Sequence, residues 1–92
     1  MEELEWDDDN ISHLARHLIT PDEVEELFEG IVVRRRGGTD APDRFQVLGR
    51  TSAGRYLAIV YQAKAQGVIR PFTGWDMRQR ERDLYDRQAK EN

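Results

Sequence analysis

The spacing of apolar residues in the first third of the chain predicts two short helices. Apolar side chains from Ile11 to Leu18 recur every three or four residues after a run of aspartates that supplies an N-cap, so they predict a first helix near residues 8–18. The segment Thr20-Pro21-Asp22-Glu23 is a capping box with proline at the first helical position. A second helix therefore begins there, and Gly30 ends it.

Beyond the second helix the apolar pattern changes from helical to alternating, which is typical of strands. Pro71 cannot donate to a strand ladder, so the last strand lies at an edge or carries a bulge there. The basic triplet 34–36 alternates sides on the first strand, so at least one of its arginines faces away from the core. With a loop at 37–43 and two turns, the pattern predicts an antiparallel sheet of three to four strands over residues 31–36, 44–50, 55–62 and 68–73.

The two ends of the chain complete the predicted fold. Residues 4–6 predict either a short strand or an extended anchor. Asp76 supplies an N-cap for a helix from Met77, with Gln79 in the capping-box position. The expected fold is a single α+β domain over residues 1–92, with two N-terminal helices, an antiparallel sheet and a C-terminal helix.

Composition limits the functions that this chain can have. It has 92 residues and no cysteine, which excludes disulfide frameworks, thiolate catalysis and zinc ribbons and suits a reducing compartment. A chain of this length has no room for a two-lobed nucleotide-binding enzyme or a barrel. The acidic N-terminus differs from a signal peptide, and no apolar run reaches the ~18 residues of a membrane span. We therefore expect a cytoplasmic protein with no membrane partner.

The net charge of −4 conceals a strong asymmetry along the sequence. Residues 1–29 hold 11 acidic residues and one basic residue, whereas residues 30–92 hold 7 acidic and 13 basic residues. Arginine accounts for 12 of the 14 basic residues, and its guanidinium group binds phosphate or carboxylate with two parallel hydrogen bonds. The basic part suits an anionic partner such as RNA, or it pairs with the acidic segment, or it reflects codon bias in a GC-rich genome; charge alone leaves these open.

No metal or cofactor site is expected from the sequence. His13 and His17 are four residues apart, as in a helical metal site, but no third ligand accompanies them. The acidic run 7–9 is similar to a magnesium cluster, yet helix capping and the helix dipole explain it.

An ordered set of short motifs carries a resemblance to a known family. The chain reads, in order, Glu5-Trp6-Asp7, Arg16-His17, Thr20-Pro21-Asp22-Glu23-Val24, Leu48-Gly49-Arg50-Thr51, Gly54-Arg55-Tyr56-Leu57, Val60-Tyr61, Ile69-Arg70, and Arg80-Glu81-Arg82 followed by Tyr85. This set, which runs from residue 5 to residue 85, resembles the BrnT family of bacterial toxins. The resemblance implies a RelE-like fold and a metal-independent ribonuclease that inhibits growth. It also implies a BrnA-like antitoxin that binds the toxin in a hetero-oligomer and joins it in repressing their operon.

The sequence departs from the family pattern at one place. Where the family has an Ala-Arg dipeptide before the last helix, this chain has Gly74-Trp75. The replaced arginine belongs to the cluster that the resemblance implies for holding the scissile phosphate. An alternative function is therefore a catalytically depleted binding module of the same fold, which docks an antitoxin or binds RNA without cleaving it.

The expected chemistry requires groups that move protons and stabilise charge. Metal-independent RNA cleavage uses the substrate's 2′-hydroxyl as nucleophile and passes through a charged phosphorane. Arg55 and Arg70 match family positions on neighbouring strands and are expected to converge on one face of the sheet; the alternative is that they form surface ion pairs. His17 matches the family's histidine after the first helix and is a candidate for proton transfer or phosphate binding.

The last helix and its surroundings supply the other candidates. Glu81 and Arg82 complete the expected catalytic set, and Arg78 precedes Arg82 by one turn, so one edge of the helix extends the basic surface; the alternative is an ordinary solvated face. Arg50, Trp75 and Arg78 are the expected RNA-binding residues. Trp75 either stacks on a base or seals the sheet against the last helix.

Overall fold

Three helices pack on a five-stranded sheet in the part of the chain that the structure, a computed structural model, describes: residues 2–36 and 42–91. The α+β class predicted from the sequence is confirmed. In chain order the elements are β1 (Glu3–Leu4), α1 (Asp8–Ala15), α2 (Pro21–Glu29), β2 (Val33–Arg36), β3 (Arg44–Arg50), β4 (Tyr56–Ala63), β5 (Val68–Asp76) and α3 (Gln79–Glu91).

The sheet is mixed, so the prediction of a purely antiparallel sheet of three to four strands is wrong. Its strand order is β1-β5-β4-β3-β2. The pairs β2–β3, β3–β4 and β4–β5 are antiparallel, whereas β1 pairs parallel to β5 through Glu3 with Val68 and Leu4 with Ile69. The short strand that was one of the two alternatives for residues 4–6 forms at Glu3–Leu4. Its partner is far away in sequence, so the pattern of apolar residues did not reveal the parallel pairing.

Both N-terminal helices begin at capping boxes. Thr20 accepts the Glu23 N–H and caps α2 as predicted, and Asp7 accepts the Asn10 N–H at the start of α1. Helix α1 ends at Ala15, earlier than predicted. Leu18 adopts a left-handed conformation with φ of 60°, which reverses the chain. Its side chain is 80% exposed and does not continue the buried stripe of the helix.

Strand β5 contains the bulge that Pro71 predicted. Tyr61 of β4 pairs with Pro71, and Val60 pairs with Thr73, so Phe72 is the extra residue. Strand β1 has ended at this point, and the Asn10 side-chain amide donates to the Pro71 carbonyl oxygen at 2.8 Å. The edge of the sheet is thereby closed by α1.

The last helix begins at Gln79, so the prediction of a helix from Met77 capped by Asp76 is wrong. Asp76 ends β5, and its carboxylate accepts hydrogen bonds from Arg55. Glu81 instead accepts the Arg78 backbone N–H at 2.8 Å, which satisfies one of the free donors at the helix start. Because the Asp76 carboxylate pairs with Arg55, it does not cap the last helix as predicted.

The sheet separates two hydrophobic cores. Alternation along β4 directs Leu57 and Ile59 toward α1 and α2, and directs Ala58 toward α3. The core under α1 and α2 is the larger one. The core under α3 consists of few side chains, which are Val33, Leu48, Ala58, Met77 and Tyr85.

Two further predictions concern the loop and the membrane. Most of the predicted loop 37–43 lies at residues 37–41, outside the described residues, and residues 42 and 43 form a turn before β3. None of the described helices has the length and apolar character needed to cross a membrane.

Candidate nucleic-acid interface

The candidate site lies at the start of α3, where a buried carboxylate is surrounded by arginines. The Glu81 side chain is only 8% exposed. Trp75 donates its indole N–H to the Glu81 carboxylate at 3.1 Å, and the Arg35 guanidinium lies 3.4 Å from it. The carboxylate is at the base of a cleft of about 470 Å³, which is lined by Arg35, Arg78, Arg80, Glu81, Leu84 and Arg87.

Strand alternation brings the first of these arginines to the α3 side of the sheet. Val33 packs in the core under α3, so Arg35, two residues later, faces the same side. Its Nε donates to the Gln46 side chain on the neighbouring strand, which fixes the guanidinium beside Glu81. The prediction that the basic triplet 34–36 divides between the two faces is confirmed.

Trp75 seals the sheet against α3, which is one of the two roles considered for it. It pairs with Ala58 on β4 and packs against the core under α3. The Arg78 guanidinium lies 5.5 Å from the centroid of the indole ring, within the range of a cation–π contact. The indole therefore connects the core to the cleft and holds both Glu81 and Arg78.

A second arginine cluster lies further along α3. The guanidinium groups of Arg50 and Arg82 lie 4.5 Å and 4.4 Å from the Tyr56 ring. The Tyr56 hydroxyl donates to the Asp86 carboxylate at 2.9 Å. Such contacts restrict the guanidinium groups while leaving their N–H donors directed outward.

Five of the eight predicted site residues are thus on one side of the sheet, namely Arg50, Trp75, Arg78, Glu81 and Arg82. Sequence reasoning missed the role of Tyr56 and the contributions of Arg80 and Arg87. The helical spacing of residues 80 and 87, two turns apart, was a signal for the last two.

Arg55 and Arg70 do not converge, so that prediction is wrong. Arg55 precedes β4, whereas Arg70 pairs with Gln62 near the other end of that strand. The positions are separated by about 20 Å along the strand at ~3.3 Å per residue. Antiparallel pairing places the start of one strand beside the end of the next, so the antiparallel sheet predicted from the sequence was itself inconsistent with the expected convergence.

Both arginines form ion pairs, as the alternative interpretation expected. Arg55 lies 2.8 Å from the Asp76 carboxylate and 3.0 Å from Glu23. The Arg55 hydrogen bonds lower the pKa of Asp76. Arg70 lies 2.9 Å from the Asp7 carboxylate; the Asn10 backbone N–H and the Arg70 guanidinium lower the pKa of that aspartate.

His17 is separated from the cleft. It follows α1 in an exposed turn on the side of the sheet opposite to α3, and its ring centroid is 5.8 Å from that of His13. His13 contacts the Thr73 hydroxyl at 3.2 Å. Within the described residues, no group of three or more histidines or acids has the arrangement of a metal site.

The folded chain separates its charges. Four basic residues pair with the acidic first third, through Arg34–Glu2, Arg55–Glu23, Lys64–Glu5 and Arg70–Asp7. The interpretation that basic residues pair with the acidic segment is therefore correct for these four. The arginines on the α3 side are paired less often. Within the described residues, no ion pair is formed by Arg50, Arg80, Arg82 or Arg87.

Comparison with protein families and with curated proteins finds no match to this chain. Its function therefore has to be inferred from the chemistry of the site. The arrangement offers several guanidinium groups for phosphate oxygens and one carboxylate for proton transfer.

The pH dependence of stability should reveal the Arg55 ion pairs. The pKa of Asp76 lies below its ordinary value of 3.8 in the folded protein, so its contribution to stability is present above about pH 4 and is lost as the pH falls further. The difference in unfolding free energy between wild type and Arg55→Ala should be largest near neutral pH and shrink below pH ~4. Urea unfolding at a series of pH values measures it.

Part of this difference should remain in acid, because Arg55 also donates to the Leu18 carbonyl oxygen at 2.8 Å. Arg16→Ala is the control, since Arg16 forms no ion pair with a described side chain. A difference that is the same at neutral and acidic pH would contradict the assigned ion pairs.

Proposed function

We propose that the protein is a metal-independent endoribonuclease that binds RNA on the α3 side of its sheet. The observation that carries the proposal is the buried Glu81 carboxylate below the guanidinium groups of Arg35 and Arg78. In this proposal the chain is a cytoplasmic, BrnT-like toxin with a RelE-like fold. A BrnA-like antitoxin neutralises it in a hetero-oligomer.

The arginines of the cleft supply the affinity for RNA. The Arg78 side chain is 76% exposed while its guanidinium stays near Trp75. Arg80 and Arg87 also line the cleft. Guanidinium groups bind phosphate oxygens with two hydrogen bonds, and the release of counterions from RNA adds a salt-dependent contribution.

Glu81 is the proposed general base. Its carboxylate takes the proton of the 2′-hydroxyl, the 2′-oxygen attacks the adjacent phosphorus, and the bond from phosphorus to the 5′-oxygen breaks. Arg35 and Arg78 stabilise the charge that develops on the phosphorane. The departing 5′-oxygen takes a proton from water, which reaches the open cleft.

Two observations favour the second function, a binding module that does not cleave RNA. Glu81 already accepts hydrogen bonds from Trp75, the Arg78 backbone and Arg35. Arg55 and Arg70, which the family resemblance places in the active site, are held in ion pairs elsewhere. RNA binding through the same cleft is common to both functions.

Incubation of a labelled single-stranded RNA with the purified protein in EDTA tests the proposal. We expect cleavage products that end in a 2′,3′-cyclic phosphate, because the 2′-oxygen is the nucleophile. A matched RNA with 2′-O-methyl groups must stay intact. RNA that binds but remains uncut would favour the binding module, and gain of cleavage in Trp75→Arg would then show that the missing guanidinium is the cause.

The salt dependence of RNA binding should identify the arginines that contact phosphate. For Arg80→Ala and for Arg87→Ala, the slope of log K against log salt should become shallower by about 0.7 per lost contact with single-stranded RNA. Fluorescence anisotropy with a 2′-O-methyl oligonucleotide measures this without cleavage. Arg16→Ala, directly after α1, should keep the wild-type slope. Equal slopes in all variants would place RNA elsewhere.

A further inference from the structure

A second cavity lies on the side of the sheet opposite to the arginine cleft. Its volume is about 440 Å³, and none of the residues that line it belongs to α1 or α2. Its floor is apolar and is formed by the ends of three strands, with Phe45, Tyr61, Ala63 and Ile69. We call this cavity the apolar groove.

The rim of the apolar groove is basic. Arg34 and Arg36 reach it from β2, because alternation places them on the side opposite to Arg35. Lys64 follows β4 at the other end of the groove. With Arg35, which also lines the arginine cleft, four cationic residues line the apolar groove. Lys64 is paired with Glu5 at 2.7 Å.

A carboxylate already occupies part of this rim. Two nitrogens of the Arg34 guanidinium donate to the two carboxylate oxygens of Glu2, and Arg34 also contacts the Tyr61 hydroxyl. The hydrogen bonds from Arg34 lower the pKa of Glu2. The rim therefore binds a carboxylate in the geometry that guanidinium groups favour.

The floor suits aliphatic side chains better than nucleobases. One face of the Phe45 ring is stacked on Tyr61 at a centroid distance of 5.8 Å, and the Arg36 guanidinium lies over the ring at 5.4 Å. Tyr61 is only 3% exposed. The Phe45 ring is already in contact with both Tyr61 and Arg36, so a base would have to compete with these contacts in order to stack there.

We propose that the apolar groove binds an acidic segment of a partner protein, with apolar side chains on the floor and carboxylates on Arg34 and Arg36. Glu2 then acts as an internal competitor that the partner's carboxylate displaces from Arg34. Arg35 lines both the groove and the arginine cleft, whereas Arg34 and Arg36 line the groove alone. Variants at Arg34 and Arg36 therefore test this inference independently of RNA cleavage.

Binding of a short synthetic peptide of alternating glutamate and leucine, measured by fluorescence anisotropy with the whole chain, tests this inference. Arg34→Ala and Arg36→Ala should each weaken binding about tenfold, since each removes charged hydrogen bonds. Glu2→Ala should strengthen binding, because the competing carboxylate is gone. Arg16→Ala, which is outside the groove, is the control.

Three results would overturn the proposal. The first is that neither wild type nor Glu2→Ala binds the peptide. The second is that a peptide with lysine in place of glutamate binds equally well, because charge would then play no part. The third is that Arg36→Ala weakens binding of a single-stranded RNA instead of the peptide, which would make the groove a nucleic-acid surface. Circular dichroism of each variant establishes that the fold persists.

Discussion

Glu81→Gln is expected to lower the rate of RNA cleavage by about 10²- to 10⁴-fold, the range of a lost general base. The amide cannot take the 2′-hydroxyl proton, yet it has nearly the same shape and can still accept the Arg78 backbone N–H. RNA binding should become tighter, because a negative charge is removed from a cleft that Arg35 and Arg78 line. Single-turnover cleavage and anisotropy measure the two effects separately.

Asp83→Asn is the matched control for this variant. Asp83 lies on the same helix, but it is exposed and accepts a hydrogen bond from Gln79 at 2.8 Å. The Asp83→Asn variant should cleave RNA at the wild-type rate. If Glu81→Gln cleaves as fast as Asp83→Asn, the general base is another group and the proposed mechanism is wrong.

The sequence predicted the local parts of the fold well, because their signals lie within a few residues. The capping box at Thr20 and Glu23 fixed the start of α2, and Pro71 indicated the bulge in β5. Strand β3 has the predicted bounds, Arg44–Arg50. These features depend on backbone donors and acceptors that a short segment either has or lacks.

The long-range parts could not be predicted in this way. The parallel pairing of Glu3 with Val68 joins distant segments, and nothing in either segment indicates the other. Asp76 had the sequence context of an N-cap, but Arg55, twenty-one positions earlier, pairs with its carboxylate. When a side chain has two possible partners, the tertiary fold decides which of them it binds.

In the candidate site, too, the sequence predicted local placement correctly and long-range placement wrongly. Arg78, Glu81 and Arg82 are brought to one surface because they lie on one helix. Arg55 and Arg70 were expected to converge across two strands, and the register separated them. The family resemblance gave the identities of candidate residues, and the geometry divides them between the cleft and the ion pairs.

The basic residues of the two proposed surfaces differ in their ion pairs. An acidic segment in the apolar groove has to displace Glu2 from Arg34, whereas Arg80 and Arg87 of the cleft form no ion pair with a described side chain. The acidic first third neutralises Arg34, Arg55, Lys64 and Arg70. The arginines around α3 are left to attract phosphate. Of the residues that line the two cavities only Arg35 is shared, so a partner that binds Arg34 and Arg36 in the apolar groove would leave Arg78, Arg80 and Arg87 accessible to RNA.

Gly74→Ala is expected to lower the free energy of unfolding by about 1–3 kcal/mol, the usual cost of overpacking a core. A Cβ at this position would lie 2.6 Å from Ile59 Cδ1 and 2.8 Å from the Ala58 carbonyl oxygen. The Ile59 side chain can shift, but the carbonyl belongs to the central strand of the sheet and cannot move without disturbing the β4–β5 pairing. Urea unfolding measures the change.

Gly30→Ala is the control, because a Cβ there has no neighbour closer than 3.8 Å and the residue has an ordinary φ of −102°. Equal stability of Gly74→Ala and Gly30→Ala would mean that the β5 backbone at Gly74 lies further from Ile59 than the structure places it. The packing at Gly74 also bears on the Ala-Arg pair that the family resemblance led us to expect at residues 74 and 75. Since alanine does not fit at position 74 without loss of stability, the chemical role of Trp75 is tested with Trp75→Arg alone; the double change would mix a folding defect with any gain of cleavage.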